Sequence, residues 1–409
     1  MNIQKFNIIY FSIDKWDIIW KKRPYHFAKE LSKNRKVLFV EDAPPLKKRL
    51  LNILKGNIVY CSKLNKNLWR VYLNVRFPFK YKGFIKIKHF ALKFNHKISW
   101  YLLRKIVKIL GFSDTVAIGN DIYLYPIDEI RRLSNFNHHK ILEIVYDCVD
   151  EHRAFPDADY DFANYAEQNL SQNSDIVFFT AKKLMEKPEM KGLRNVYYIP
   201  NGVEYKKFIF PCITPTDFSQ VRANSIIFGY AGSITEWIDF EMMEEILNMD
   251  KSYAICLTGG FIYKDEEKHL RNKIAELSRK YKNRFLFFGL LPYEEFLFYI
   301  KSFDICLLPF KIQEVTQGML PLKTFEYLAA GKGIISTKWK EMEQFSDIIS
   351  LVSNKKELKS AVSHEVALLN DKEAKKKRVI FAENYDWKKI VKDSIEIISE
   401  FIKRNEKVC

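Results

Sequence analysis

Short runs of β-branched and aromatic residues recur along the chain, apolar at consecutive rather than alternate positions. In the first half they fall at Phe6 to Phe11, Lys36 to Val40, Thr115 to Ile118, Ile141 to Tyr146, Asp175 to Phe179 and Asn195 to Ile199. Between them the hydrophobic spacing shifts to three and four, as at Arg23 to Leu31 and Asp161 to Leu170. The second half repeats the scheme. Strands are expected at Ile226 to Tyr230, Tyr253 to Leu257, Arg284 to Phe288, Asp304 to Leu308 and Gly333 to Ser336, with helices at Asp239 to Leu247, Glu266 to Tyr281 and Pro292 to Ile300. Strands without a polar face are covered on both sides, so the alternation predicts parallel sheets sandwiched by helices. The expected fold is therefore α/β, with two doubly wound parallel-sheet (Rossmann-like) domains facing a cleft and ligands at the carboxyl ends of their strands. A chain of 409 residues also exceeds one typical core and suits two domains of roughly 200 residues. No repeat or low-complexity tract interrupts it.

One segment carries chemistry, Gln317-Gly-Met-Leu-Pro-Leu-Lys-Thr-Phe-Glu-Tyr-Leu-Ala-Ala-Gly-Lys-Gly333. Leu322 to Ala330 is a helix opened by Pro321 and stopped by Gly331, followed by the apolar run at Ile334 and Ile335. A helix start presents unpaired N–H groups and the positive end of the dipole, which suits a phosphate, and Lys323 adds a cation there. Glu326 lies one turn further in, where a carboxylate accepts two hydrogen bonds from vicinal hydroxyls of a ribose or sugar. Lys323 and Glu326 on the wet side of an ordinary amphipathic helix is the plainer alternative.

The segment resembles the P-x-K-x-x-E-Y-L-A-x-G-K signature of nucleotide-sugar-dependent glycosyltransferases of the GT-B fold, retaining type. Three further stretches resemble that family in the same order: Tyr198-Ile-Pro-Asn-Gly-Val203, Phe228-Gly-Tyr-Ala-Gly-Ser-Ile234, and Phe287-Phe-Gly-Leu-Leu-Pro-Tyr293 with Asp304-Ile-Cys-Leu-Leu-Pro309. Arg23-Pro-Tyr-His26 and Tyr146-Asp-Cys-Val-Asp150 resemble a subgroup that builds bacterial surface polysaccharides. The resemblance implies an acceptor-binding domain over residues 1–200 and a nucleotide-sugar-binding domain over 201–385. A last helix over 386–409 would cross back to the first domain. It also implies transfer of a sugar to a hydroxyl of a lipid-linked glycan, with donor contacts at Gly232, Ser233, Gly318, Met319, Leu320, Lys323 and Glu326. Two positions depart from the pattern. Gly318 stands where many retaining members carry a first Glu, and Ser233 to Trp237 supplies no cation after the glycine loop. The stereochemical outcome is left open, and more of the phosphate charge falls to Lys323.

Glycosyl transfer needs a neutralised leaving diphosphate, a group that orients the acceptor hydroxyl, and exclusion of water. Asp147 and Asp150 end a predicted strand and are the candidate catalytic carboxylates, with capping of the next helix as the structural alternative for Asp150. Arg23 and His26 follow the first strand and are candidates for the acceptor or phosphate side; the alternative is a helix-start pair exposed to water. His138-His139 sits in a polar loop and reads as inert. Gly259-Gly260 fits either close approach of a ligand to the backbone or a bare turn, and Trp237 fits either a sugar platform or core. Asp157, Asp159 and Asp161 begin like a calcium loop, but the sixth and twelfth positions are Phe162 and Gln168, and Asp157-Ala-Asp159 is too short a D-x-D to carry weight. No metal and no cofactor is expected, the nucleotide sugar being a substrate. A sugar-nucleotide epimerase of the same fold and a non-catalytic nucleotide-sugar-binding protein are the competing functions.

Charge changes the picture most. Residues 1–110 hold 26 Lys and Arg against 5 Asp and Glu, a net of +21, and no acid occurs from Ala43 to Ser113. Over Phe79 to Leu110, Lys80, Lys82, Lys86, Lys88, Lys93, Lys97, Arg104, Lys105 and Lys108 interleave with Phe, Ile, Leu and Trp. Such a stretch suits an anionic bilayer surface, each cation there contributing about 1 kcal/mol. Nucleic acid competes for the same charge, as does a plain solvated face. The adopted reading is a peripheral contact with anionic membrane and no nucleic-acid partner. With no run of about 18 uncharged apolar residues and no signal-like start, the expected location is cytoplasmic, on the inner membrane face. Six scattered cysteines without a C-x-x-C indicate neither disulfides nor zinc.

Overall fold

A computed structural model describes residues 6–74, 85–120, 122, 127–132, 135–136, 139–156, 158–187, 190–210, 215–218, 221 and 225–407. Two compact units divide the chain, Met1–Pro200 with Lys388–Cys409, and Asn201–Trp387.

The first unit contains β1 (Asn7–Ser12), β2 (Val37–Glu41), β3 (Val59–Lys63), β4 (Leu68–Leu73), β5 (Thr115–Gly119), β6 (Asn135–Phe136), β7 (His139–Cys148), β8 (Ile176–Phe179) and β9 (Val196–Tyr198). They form one sheet in the order β3-β4-β2-β1-β5-β7-β8-β9, with β6 beside β7. From β4 to β9 the pairings along this path are parallel. Strands β1, β2, β5 and β8 are buried almost throughout, which is why their sequences run apolar without alternation. The expectation of parallel sheets needs a correction here. Val59–Lys63 pairs antiparallel with β4, and β6 antiparallel with β7. Strand β3 escapes a search for apolar runs because it is an edge strand with three of its five residues exposed. The Asp159 carboxylate accepts from the Phe162 N–H at 3.2 Å and so caps the helix Tyr160–Asn173. Asp161 falls in the first turn of that helix, and Asp157 lies outside the described residues.

The second unit contains β10 (Ile226–Ala231), β11 (Tyr253–Thr258), β12 (Phe285–Phe287), β13 (Ile305–Leu308), β14 (Gly333–Thr337) and β15 (Ser350–Val352). All are parallel, in the order β12-β11-β10-β13-β14-β15. Counted along the chain this is 3-2-1-4-5-6, the Rossmann order, and the winding reverses between β10 and β13. The two loops leaving these strands therefore diverge at their carboxyl ends, the place where open sheets of this kind take ligands. The final helix, Trp387–Glu406, reaches the first unit, where Asn405 donates to Glu143 of β7 at 3.0 Å. No helix among the described residues is long and apolar enough to cross a membrane.

Candidate functional site

In the second unit, the loop after β10 and the helix Leu322–Ala329 meet at the reversal point. Tyr327, on the buried face of that helix, fixes the encounter: its hydroxyl accepts from the Ala231 N–H at 2.9 Å and lies 3.3 Å from the Ala231 carbonyl. The next residue is Gly232, over whose backbone Lys323 lies. A Cβ at Gly232 would stand 2.3 Å from Lys323 Nζ, so only glycine leaves room for the ammonium against the loop. Gly259, with φ +155°, brings a second backbone in from β11; a Cβ there would collide with the Gly232 carbonyl. Of the two readings of Gly259-Gly260, this is close approach, of chain to chain. No side chain caps the helix start at Pro321, and the hydroxyl of Thr324 in its first turn is buried without a partner. Asn201 donates to the Leu320 carbonyl at 2.7 Å, while its own side-chain oxygen is buried and unpartnered. Orphaned polar atoms of this kind, at a helix start, mark a place built for a polar guest.

The charges point the same way. Burial holds the Glu326 carboxyl up at about 7, against the opposing influence of Lys323, with Glu204 pushing in the same direction as burial. Burial likewise brings Lys323 down to about 8, with Glu326 resisting. Lys323 donates to the Tyr230 hydroxyl at 3.0 Å and sits over the Tyr230 and Phe310 rings. The Glu326 carboxyl makes no hydrogen bond or ion pair among the described residues. An acid and an amine, both desolvated and neither neutralised by an ion pair, are poised to gain from a ligand that brings hydroxyls and negative charge. Gly232, Ser233, Leu320, Lys323 and Glu326 thus share one end of one unit. Gly318 ends the short helix Glu314–Gln317 and is buried, and the Met319 carbonyl accepts from the Trp339 indole at 3.2 Å. Trp237 is 7% exposed and set edge-on to Tyr263, so it is core rather than platform.

The first unit corrects the reading of Arg23, Asp147 and His26. Arg23 is neither exposed nor free for phosphate. Its guanidinium forks onto Asp147, with Nε 2.9 Å from Oδ2 and Nη2 2.9 Å from Oδ1, and Nη1 donates to the Pro200 carbonyl at 2.8 Å. Tyr10 of β1 donates to Asp147 Oδ2 at 2.9 Å. Arg23 and Asp147 are buried, 1% and 0% exposed, so Asp147 is saturated and ties β7 to β1 and to the helix Arg23–Leu31. His26 is also buried, its ring nitrogen 3.3 Å from the Lys21 carbonyl.

Asp150 differs. It is half-buried just past β7, and burial raises its carboxyl, against the counteracting charges of His152 and Lys22. His152 bonds the Asn120 backbone, and its Nε2 is buried without a partner, as is the Asn120 side-chain oxygen. Burial lowers the imidazole, which favours its neutral form. Lys22 pairs with Asp14 at 2.8 Å beside them. These groups come from the carboxyl ends of β1, β5 and β7. Reasoning from sequence missed Asn120 and His152, although His152 follows Asp150 by two positions. Beneath them Lys187 bridges Glu167 at 2.7 Å and Glu151 at 3.0 Å, and Arg153 forks onto Glu151, which clamps the turn carrying His152.

Comparison with known proteins agrees at the level of fold. No family model matches the chain. Over 180 residues, 42% of this chain and 42% of the relative, it is 27% identical to a Bacillus subtilis (strain 168) protein named "Putative teichuronic acid biosynthesis glycosyltransferase TuaH". The chain thus matches about two fifths of that relative's length. Among solved structures, an Escherichia coli trehalose-6-phosphate protein bound with UDP-2-fluoro glucose superposes with TM-score 0.70 at 13% identity, covering 96% of this chain and 99% of that one. Sucrose-phosphate synthase of Thermosynechococcus elongatus gives 0.68 at 14%, covering 98% and 100%. Anabaena Alr3699/HepE in complex with UDP and glucose gives 0.62 at 14%, covering 96% and 99%. The chain has the GT-B fold of these proteins, built of two Rossmann-like domains.

Proposed function

We propose that the protein is a glycosyltransferase that moves a sugar from a nucleotide-sugar donor to a hydroxyl of a lipid-linked glycan in surface polysaccharide synthesis. The observation that carries the proposal is Lys323 lying on the Gly232 loop at an uncapped helix start, with the desolvated Glu326 one turn away. Lys323 and the loop N–H groups take the diphosphate, and Glu326 accepts from the ribose hydroxyls. When the acceptor oxygen bonds to the sugar's anomeric carbon, the bond from that carbon to the phosphate oxygen breaks and negative charge grows on the diphosphate. A fixed ammonium in a desolvated site stabilises that charge more than water does. In the first unit Asp150 takes the acceptor's proton and His152 orients the hydroxyl. Asp147 and Arg23 only hold the strand ends. The name of the B. subtilis relative, and the UDP and sugars bound by the structural neighbours, support glycosyl transfer from a nucleotide-sugar donor. Neither a metal nor a cofactor enters the proposal.

The acceptor assignment adds a peripheral contact with an anionic bilayer. Along the helix Ile85–Ile109, Phe90, Phe94, Tyr101 and Ile109 are exposed among exposed Lys93, Lys97, Lys105 and Lys108. Lys80 and Lys82 lie outside the described residues, as do the side chains of Lys86 and Lys88. The proposal is tested by incubating the protein with UDP-, GDP-, dTDP- and CMP-sugars and a bacterial lipid extract. Release of nucleotide that depends on the extract is expected from one donor. No release from any of them contradicts the assignment.

A further inference from the structure

The helix Leu46–Leu54, Leu-Lys-Lys-Arg-Leu-Leu-Asn-Ile-Leu, is turned inside out for a helix in water. Its leucines face solvent: Leu46, Leu50, Leu51 and Leu54 are 42, 52, 51 and 84% exposed, whereas the charged Arg49 is buried at 7%. At about 100° per residue the four leucines fill an arc of about 140°. Lys47, Lys48 and Lys55, all exposed, lie within and just beyond one edge of that arc, and Asn52 and Ile53 sit half-buried on the Arg49 side. Asn52 holds that inner side by donating to Asn74 at 3.3 Å. A leucine face beside lysines, in a stretch free of acids from Ala43 to Ser113, is complementary to a surface that is apolar beneath and anionic on top.

Topology fixes where this face lies. Strand β2 ends at Glu41, at the carboxyl edge of the parallel strands. Strand β3 starts there too, because it runs antiparallel to β4 with Val59 opposite Leu73, and β4 runs parallel to β2. The helix connects two strand ends on one edge, the same edge at which β7 delivers Asp150. We infer that Leu46–Leu54 is the element that enters the membrane, its leucines in the headgroup and acyl boundary and its lysines on anionic headgroups, holding the Asp150 edge of the first unit against the bilayer. The inference rests on the bilayer contact proposed above and assigns it to a helix other than Ile85–Ile109.

The test is co-sedimentation of the full chain with phosphatidylglycerol-containing vesicles, at low and high salt. Wild type binds, and binding partly survives high salt because apolar insertion is not screened. The variant Leu50→Ser/Leu51→Ser/Leu54→Ser loses on the order of a hundredfold in partitioning at either salt. Lys47→Ala/Lys48→Ala/Lys55→Ala loses on the order of a hundredfold at low salt only. Both variants melt with wild type, since the altered side chains are exposed. If the leucine variant sediments like wild type, the inference fails and the bilayer contact stands. Wild type that ignores the vesicles removes both. A clear fall in melting temperature of the leucine variant, or a wild-type dimer that this variant disperses, shows that protein covers the leucines and also overturns the inference.

Discussion

Two acid–base pairs stand at the carboxyl ends of the two sheets, and they are built in opposite ways. Arg23 and Asp147 in the first unit meet in a fork whose hydrogen bonds are completed by Tyr10 and the Pro200 carbonyl. In the second unit Glu326 is buried and Lys323 half-buried, yet they form no ion pair. The amine is driven down to about 8 and the acid up to about 7 by the burial each suffers. A buried charge with every partner in place locks architecture, whereas a buried charge left short of partners marks a site awaiting a ligand. Sequence alone offers all four residues as candidates. Only the partner count separates them.

Breaking the saturated pair should give the largest effect, and on stability. Arg23→Ala strands a buried carboxylate, so thermal or urea unfolding should show a loss of about 3–5 kcal/mol in the first unit. Nucleotide affinity, which the proposal assigns to the second unit, should survive wherever the variant is folded. A loss below about 1 kcal/mol would place the Arg23 charge on something other than architecture.

Breaking the unsaturated pair should move function instead. Glu326→Gln should weaken nucleotide binding by about 1.5–3 kcal/mol, on the scale of a charged hydrogen bond, as measured by calorimetric titration. It should also stabilise the ligand-free protein. The folded acid titrates near 7 rather than the usual 4.5, so ionising it costs stability as pH rises from 4.5 to 7. Removing that cost is worth on the order of 1–3 kcal/mol at pH 8 and little at pH 4.5. A variant that binds as wild type and gains nothing at pH 8 would make Glu326 an ordinary helix residue.

Two smaller effects sharpen the contrast. Gly232→Ala puts a Cβ 2.3 Å from Lys323 Nζ, and displacing the ammonium should lower diphosphate affinity by roughly tenfold, the loss of about one hydrogen bond. Affinity should also pass through a maximum between pH 7 and 8, where Glu326 is ionised and Lys323 still charged. It should fall by up to about tenfold per unit on either side. A flat profile from pH 6 to 9 would detach binding from these two groups.

What could be read from the sequence follows the range of the interactions. The strands β1, β2, β5, β7 and β8, the helix Arg23–Leu31 and all of β10 to β14 lie within a residue or two of where hydrophobic spacing places them, because burial on both faces writes itself locally. The helix Leu322–Ala329 was legible for the same reason, with Pro321 and Gly331 as its punctuation. Strand β3 was not, since an exposed edge needs no apolar run, and in β4 the half-buried Trp69, Arg70 and Tyr72 interrupt the run. Strand β15 has only three residues, one of them buried. The Arg23–Asp147 fork was unreadable for a different reason: its partners are 124 residues apart, and nothing in either local sequence reports the other. The role of Gly232 was only half visible. Its place in the loop could be read, but the ammonium lying on it could not.

The central claim, that Lys323 and the Gly232 loop hold a diphosphate, is tested most directly by calorimetric titration of wild type and Lys323→Ala. The ligands are a nucleoside diphosphate that binds, chosen from UDP, GDP and dTDP, and its parent nucleoside. Loss of a charge-assisted bond predicts a fall of about 1.5–3 kcal/mol for the diphosphate and almost none for the nucleoside. Equal losses for the two, or none for either, would contradict it.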